Sequence, residues 1–183
     1  LTNNVGRKED ALAAHQAVLA AREALAAEPG AGAAATVEVG WSLTHVAMLL
    51  RETGKRDDAV AAYRRSESLL AGRAETDPAA RAALAATRSN LGLLLQNAGK
   101  TADALSVYGR ARADREVLAN APGASTDARS DLAETVMYIG RLLYETGKLP
   151  EAEAESRVAL AIMDSLAAEK PASTDIPDRL AGI

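Results

Sequence analysis

A glycine followed by a basic residue, with an alanine five positions after the glycine, occurs four times in this chain of 183 residues. The glycines are spaced 48, 45 and 48 residues apart, and apolar residues recur at helical spacing on both sides of them. A period of this length predicts a stacked array of helical hairpins in which each glycine makes the turn between two helices. The copies are Gly6-Arg7 with Ala11, Gly54-Lys55 with Ala59, Gly99-Lys100 with Ala104, and Gly147-Lys148 with Ala152.

The residues before each turn glycine form one apolar stripe. On the three complete copies, apolar residues stand eight, five and four positions before the glycine, which is the spacing of one face of an amphipathic helix. A small residue stands seven positions before it and allows a second helix to approach closely. These positions hold Val46, Leu91 and Ile139, then Ala47, Gly92 and Gly140, then Leu49-Leu50, Leu94-Leu95 and Leu142-Leu143.

Proline-containing dipeptides mark the boundaries between hairpins: Pro29-Gly30, Asp77-Pro78, Pro122-Gly123 and Lys170-Pro171. Asp77 and the Ser125-Thr126-Asp127 run predict helix N-caps, and the helices between these marks are about 20 residues long. The predicted units are 1–29, a partial repeat that is mainly a second helix, then the repeats 30–77, 78–122 and 123–170, and finally 171–183, the start of a further repeat.

Both ends of the chain lie within the repeat pattern. The run from Ala124 to Asp127 returns 48 residues later from Ala172 to Asp175, and residues 1–5 match the last turn of a first helix. Because the chain also begins with Leu1 in place of Met, we expect it to be a piece of a longer protein. The pattern as a whole predicts an all-α fold, an α-solenoid of stacked antiparallel hairpins.

Composition limits the classes of partner. The formal net charge is -4, and acidic and basic residues are interspersed, so no basic surface for nucleic acid or an anionic membrane is expected. The chain has no cysteine, which excludes disulfides, thiolate chemistry and cysteine metal sites. No apolar run approaches the ~20 residues that span a bilayer. We therefore expect no nucleic-acid or membrane partner, and the cytoplasm is the default compartment.

No catalytic, cofactor or metal site is predicted. Residues 97–101 end like a phosphate-binding loop, but Leu94 stands where that motif needs glycine, and both flanks have helical patterns. Two histidines without cysteine provide too few groups for zinc or Cys-His catalysis, and Asp57-Asp58 is typical of the first turn of a helix. We expect no enzymatic activity within this chain.

The joint spacing of Leu91-Gly92 or Ile139-Gly140, the turn glycine and the following alanine resembles the tetratricopeptide repeat (TPR) over nearly the whole chain. The period exceeds the usual ~34 residues, and is similar to the long repeats of kinesin light chains and of arrays in bacterial signalling proteins. HEAT or armadillo units, with periods of ~40–47 residues, are the alternative. The resemblance implies a right-handed superhelix whose first helices line a concave groove.

The resemblance also implies which side chains face that groove. They are rich in aromatic residues, Met, Arg and Asn, as interaction surfaces are. Only Asn90 matches the cationic and amide set with which some family members grip a C-terminal carboxylate, so that function is rejected. The candidate groove residues are Trp41, Thr44, His45, Met48, Arg51, Ser89, Asn90, Leu93, Gln96, Asn97, Met137, Tyr138, Arg141 and Tyr144.

Packing offers an alternative explanation for several of these residues. Trp41 could pack against the preceding hairpin, and Tyr63 and Tyr108 stand at core spacing on the second helices. His15 occupies the position equivalent to these tyrosines and is predicted to be a partly buried packing residue. His45 is predicted to be exposed, with no second metal ligand nearby.

Three functions follow as hypotheses. The first is a protein-protein interaction module that binds a peptide, a helix or a neighbouring domain, with no cofactor. The second is a structural array that self-associates through its repeat ends. The third is regulation in cis of an attached signalling enzyme, such as a Ser/Thr kinase.

Overall fold

The computed structural model describes residues 2–169, and the side chains among them from residue 6 onward. This part of the chain consists of seven α-helices without a β-strand, which confirms the all-α prediction. The helices are α1 (Thr2–Ala26), α2 (Ala33–Glu52), α3 (Arg56–Ala71), α4 (Pro78–Asn97), α5 (Thr101–Ala119), α6 (Thr126–Glu145) and α7 (Leu149–Glu169).

Each helix packs against its neighbours in sequence, and α2 also contacts α4 directly. The pairs α2–α3, α4–α5 and α6–α7 lie within residues 30–77, 78–122 and 123–170 respectively. In each pair the first helix and the second helix are joined by a short turn, as in a solenoid of hairpins. The exact repeat boundaries stay a prediction, and residues 171–183 lie outside the described residues.

Three turn glycines end the first helices as predicted. Gly54, Gly99 and Gly147 have φ values of 81°, 72° and 78°, which only glycine adopts without strain. The backbone N–H of the following lysine then donates to a carbonyl five residues earlier, as Lys55 does to Leu50 at 2.8 Å. The basic residue therefore closes each helix through its main chain.

Gly6 does not make the predicted turn. It lies inside α1, which continues from Thr2 to Ala26, and it is not among the glycines with positive φ. Among the described residues no helix packs before α1 to hold a turn at this point. A continuous helix satisfies the backbone hydrogen bonds instead.

Two predicted N-caps are confirmed. The Asp77 carboxylate accepts hydrogen bonds from the N–H groups of Ala79 and Ala80, at 2.8 and 3.4 Å, and Pro78 occupies the first turn of α4. The Ser125 hydroxyl accepts from Ala128 at 3.1 Å at the start of α6. These caps set the point at which the first helices of the last two hairpins begin.

The main core runs through the array from α1 to α6 and contains two tyrosines. Tyr63 and Tyr108 have no exposed surface, which confirms their predicted packing role. Close helix approach depends on glycine: a Cβ atom added at Gly92 would lie 2.8 Å from the Tyr108 ring, and one at Gly40 would lie 2.8 Å from Leu70. The small residue seven positions before the turn therefore has the predicted function at Gly92.

Helix α2 is long and apolar enough to cross a membrane, contrary to the expectation that no segment comes near that length. Half of the apolar stretch of this helix is buried inside the array, where α1, α3 and α4 pack against it. A core helix passes the same test by length and composition, so this single helix is weak evidence for a membrane span.

Candidate partner-binding surface

Candidate residues at one repeat position differ in exposure according to the hairpin that carries them. Ten residues before the turn glycine, Thr44 is buried, Ser89 is half-buried and Met137 is 58% exposed. The same trend occurs six residues before the turn, where Met48 and Leu93 are half-buried and Arg141 is exposed. These positions face the following hairpin, and α6 has no following hairpin among the described residues.

Thr44 corrects the predicted surface. Its hydroxyl is buried and lies 3.3 Å from that of Ser66 and 2.8 Å from that of Thr87, and it donates to the Gly40 carbonyl. The direct packing of α4 on α2 covers this position. The prediction that Thr44 faces outward is therefore wrong, and its hydroxyl belongs to a buried cluster that joins three helices.

A stacked tyrosine pair lies between the last two hairpins. The rings of Tyr108 and Tyr138 are 5.4 Å apart and nearly parallel, and the guanidinium of Arg141 lies 5.4 Å from the Tyr138 ring centroid. Arg141 also donates to the Gln96 side chain at 3.1 Å, and Tyr138 donates to Glu134 at 3.0 Å. Burial raises the pKa of Tyr138, and its hydrogen bond to Glu134 raises it further. The predicted residues Gln96, Tyr138 and Arg141 thus form one cluster with Tyr108 and Glu134.

A histidine pair occupies the equivalent place between α1 and α2. The ring centroids of His15 and His45 are 5.7 Å apart, and the indole of Trp41 lies 6.3 Å from His45. Both histidines are exposed, as predicted for His45, whereas the prediction that His15 is partly buried is wrong. Burial, aided by the charges of His15 and Arg22, lowers the pKa of His45.

The other candidate residues do not form a cluster with these rings. Asn90 donates to the Ala86 carbonyl of its own helix at 3.0 Å, and Ser89 has a buried hydroxyl oxygen without a hydrogen-bond partner. Arg51 is half-buried, and Asn97 is exposed at the end of α4. The predicted surface therefore consists of separate groups along the first helices.

An apolar cleft of about 930 Å³ lies between α6 and α7. The predicted residues Met137, Arg141 and Tyr144 form one side of it, and Tyr144 is 68% exposed. The other side comes from α7, where sequence reasoning placed no candidate. Those missed residues include Leu149, Leu160 and Met163, all about half exposed.

One of these α7 residues, Met163, differs from the residues at the equivalent position of the other repeats. Sixteen residues after each turn glycine stand Leu70, Arg115 and Met163, and sixteen after Gly6 stands Arg22. The α5 arginine at this position is buried against the next hairpin, whereas Met163 is 49% exposed. This repeat position holds arginine in α1 and α5 but an exposed methionine in α7. Met163 is therefore expected to make a different contact from the arginines.

Arg22 and Arg115, which occupy the same repeat position, join adjacent hairpins in the same way. Arg22 donates to the Ser42 hydroxyl at 2.7 Å and pairs with Glu38, also at 2.7 Å. Arg115 donates to the Thr135 hydroxyl and, at 2.6 Å, to the Asp131 carbonyl. Burial lowers the pKa of the Arg115 guanidinium, against the raising effect of Asp131. These contacts hold the hairpins together.

Metal-ligating side chains do not gather into larger groups in the part of the chain that the structure describes. Between residues 2 and 169 no group of three or more His, Asp or Glu side chains could hold a metal ion. The loop-like run 97–101 is the turn between α4 and α5, with helix on both sides. The surface is suited to contact through rings, thioethers and guanidinium groups.

Comparisons with known proteins agree with this architecture. Residues 84–122 match the family model described as tetratricopeptide repeat, whose members are generally protein-interaction modules. No curated protein sequence matches the chain. The resemblance to the TPR is confirmed at the level of the repeat and the fold.

Two solved structures share the fold. One is BtubC (BKLC) from P. vanneervenii, with a TM-score of 0.70, 22% identity and coverage of 97% of this chain. The chain spans 63% of the length of that protein. The other is a kinesin light chain from P. anserina with nearly identical TPR-like repeats, with a TM-score of 0.50, 15% identity, and coverage of 89% of this chain and 87% of that one.

Proposed function

We propose that this TPR-like array is a protein-interaction module whose first helices bind a peptide, a helix or a neighbouring domain. The observation that carries the proposal is the exposure of Met137, Arg141 and Tyr144 on the first helix α6. Large side chains of these types contribute most of the binding energy in protein interfaces. The TPR-like fold and the family match support the same class of function.

The surface favours a ligand with apolar and aromatic groups. Arg141 and Tyr138 already contact each other, and the exposed positions around them are Met137 and Tyr144. Binding there would depend on burial of thioether and ring surface more than on charge, so we expect it to persist at high salt. This would distinguish the surface from a carboxylate-binding groove.

Affinity capture with quantitative mass spectrometry tests this function. We expect a protein with Trp41→Ala, Asn90→Ala and Arg141→Ala to lose partners that the unchanged array retains. The matched control is Arg64→Ala, an exposed substitution on the second helix α3. Helicity and melting temperature are measured for every variant. Equal capture by the triple variant, with folding intact, would show that the first-helix surface is not the binding surface.

Self-association is the second candidate, and the α6–α7 cleft favours it. Leu160 and Met163 are 60% and 49% exposed beside Met137 and Tyr144, and contiguous apolar surface of this kind marks interaction sites. Regulation in cis of an attached enzyme would use the same surfaces and stays a hypothesis about the whole protein.

Sedimentation equilibrium over a concentration series separates self-association from the first proposal. If copies associate through the cleft, Leu160→Glu with Met163→Glu should give a monomer at every concentration. The control is Val117→Glu, which places the same charge at a residue of α5 that is 53% exposed. A strictly monomeric parent chain with intact helicity would rule out self-association and leave the first proposal unaffected.

A further inference from the structure

We propose that residues 172–183 of this chain bind the exposed face at the end of the α6–α7 hairpin, with Leu180 against Ala167 and Ile183 against Met163. Residues 172–175 and 180–181 repeat residues 124–127 and 132–133, which form the start of α6 and the residues just before it. The segment itself lies outside the described residues, but the surface that would hold it is described.

An alanine twenty residues after the turn glycine marks the contact of each hairpin with the next. Ala74 of the first complete hairpin is buried in one core cluster with Leu84 of α4. One repeat later, Ala119 packs against the cluster that contains Leu132 of α6. Both leucines stand fifteen residues before a turn glycine. Each alanine at this repeat position therefore belongs to the surface that a leucine of the following first helix covers.

The last hairpin presents the same alanine to solvent. Ala167 stands twenty residues after the last turn glycine and is exposed, whereas Ala74 is buried and Ala119 is half-buried. Ala167 lines a cavity of about 270 Å³ between the start of α6 and the second half of α7. Forty-eight residues after Leu132 the chain has Leu180. The segment therefore carries the matching leucine at the repeat position that this surface requires.

A second pair of positions changes in both members at once. The buried Arg115 donates to the Thr135 hydroxyl, which joins α5 to α6. Forty-eight residues later, arginine is replaced by Met163 and threonine by Ile183. Met163 is 49% exposed, so burial by an isoleucine would remove apolar surface from water. A polar pair has thus become an apolar pair, as expected if the two positions meet again.

Binding of the segment would divide the apolar surface of the last hairpin. Met163 lines both the small cavity and the α6–α7 cleft. The segment would cover Met163 and leave Met137, Tyr144 and Leu149 for a protein partner. The proposed binding by the first helices keeps its surface, whereas self-association through Met163 would compete with the segment.

Disulfide trapping tests the position of the segment, because the chain has no cysteine of its own. The full chain with Ala167→Cys and Leu180→Cys is oxidised at low concentration. The matched control is Ala167→Cys with Asp178→Cys, since one repeat earlier Leu132 is buried and Ser130 is exposed. We expect the link within one chain to form at least about tenfold faster in the first pair, because a disulfide needs Cβ atoms about 3.5–4.5 Å apart.

A compensating pair of substitutions tests the contact at Met163 without a disulfide. Met163→Arg should lower the melting temperature by about 2–4 °C, because it places a guanidinium against Ile183. Adding Ile183→Thr should restore part of this loss, since it re-creates the Arg115–Thr135 pair one repeat later. Circular dichroism confirms that each variant retains its helices.

Two results would overturn the proposal: equal linkage rates for the two cysteine pairs, or strictly additive effects of Met163→Arg and Ile183→Thr, which indicate residues that do not touch. Linkage between chains would overturn it as well and would assign this surface to a second copy. Neither measurement requires a partner protein. Failure here would therefore leave the proposed binding function intact, and failure of that function would appear only in affinity capture.

Discussion

Gly92 and Gly109 are both helical glycines, and their surroundings give them opposite roles. A Cβ atom at Gly92 would lie 2.8 Å from the ring of Tyr108, which has no exposed surface and cannot move aside. A Cβ atom at Gly109 would meet nothing within 4 Å. The first glycine is required by close helix packing, whereas the second leaves the helix with unnecessary backbone freedom.

We therefore predict opposite effects of alanine at these two positions. Gly92→Ala should lower the free energy of unfolding by about 1–3 kcal/mol through overpacking. Gly109→Ala should raise it by about 0.5–1 kcal/mol, because alanine loses less entropy in a helix. Urea denaturation measures both values. A neutral Gly92→Ala variant would show that the α4–α5 contact adjusts more easily than its geometry indicates.

Buried hydroxyl groups give a second contrast between single residues. The Tyr63 hydroxyl is buried without a hydrogen-bond partner, and burial raises its pKa to about 12. The Thr87 hydroxyl donates to the Ala83 carbonyl at 2.8 Å and contacts those of Thr44 and Ser66. The Tyr63 hydroxyl therefore carries an uncompensated desolvation cost, whereas the Thr87 hydroxyl offsets its own cost with hydrogen bonds.

Tyr63→Phe should leave stability unchanged or raise it by about 1 kcal/mol, since it removes an unsatisfied polar atom. Thr87→Val is the matched hydroxyl deletion and should lower stability by about 1–2 kcal/mol. Thermal and urea unfolding provide the comparison. A large loss on Tyr63→Phe would mean that the tyrosine hydroxyl has a hydrogen bond in solution.

At the scale of elements, the junction between α1 and α2 contains a pair of histidine rings. His15 and Arg22 of α1 face His45 of α2, and the ion pairs Lys8–Glu52 and Arg22–Glu38 connect the same two helices. The pKa of His45 is lower in the folded chain than in the unfolded chain. Protons therefore bind the unfolded state more readily, and acid weakens this junction.

We predict that the contribution of His45 to the free energy of unfolding is fully present above the unfolded histidine pKa of about 6.5. This contribution is lost as the pH falls from there through the lower folded pKa of His45. Melting temperatures at pH 7.5 and 5.5 measure the effect. His45→Asn should make the difference smaller, and asparagine already occupies the equivalent position at residue 90. An unchanged difference in that variant would assign the acid sensitivity to other groups.

At the scale of the molecule, stability should be greatest in the middle of the array. Each hairpin contacts only its neighbours, so helices covered on both sides bury the most surface. Among the described side chains, α1 buries the apolar residue Leu12 alone, whereas α2 and α4 each bury nine residues. Local opening therefore costs least at the ends.

Hydrogen exchange followed by mass spectrometry should show this gradient. Amides of α2 and α4 should exchange slowest, and those of α1 should exchange fastest among the helices. Uniform protection across the described helices would indicate one cooperative unit instead of a chain of neighbouring contacts.

The helices, the turns and the repeat follow from local sequence. Turn glycines at fixed spacing, the caps at Asp77 and Ser125, and apolar residues at helical intervals depend on interactions within a few residues of each other. The burial of Tyr63 and Tyr108 was predictable for the same reason, since both stand on the apolar stripe of a helix.

The tertiary structure, in contrast, decided which neighbouring helices cover the side chains of each helix. Thr44 and Met137 share one repeat position, yet the first is buried because α4 covers it and the second lines an open cleft. The pairing of His15 with His45 and the helical conformation of Gly6 likewise depend on which hairpin lies beside them. Periodicity determines the direction of a side chain from its own helix, whereas its exposure depends on contacts between residues far apart in sequence.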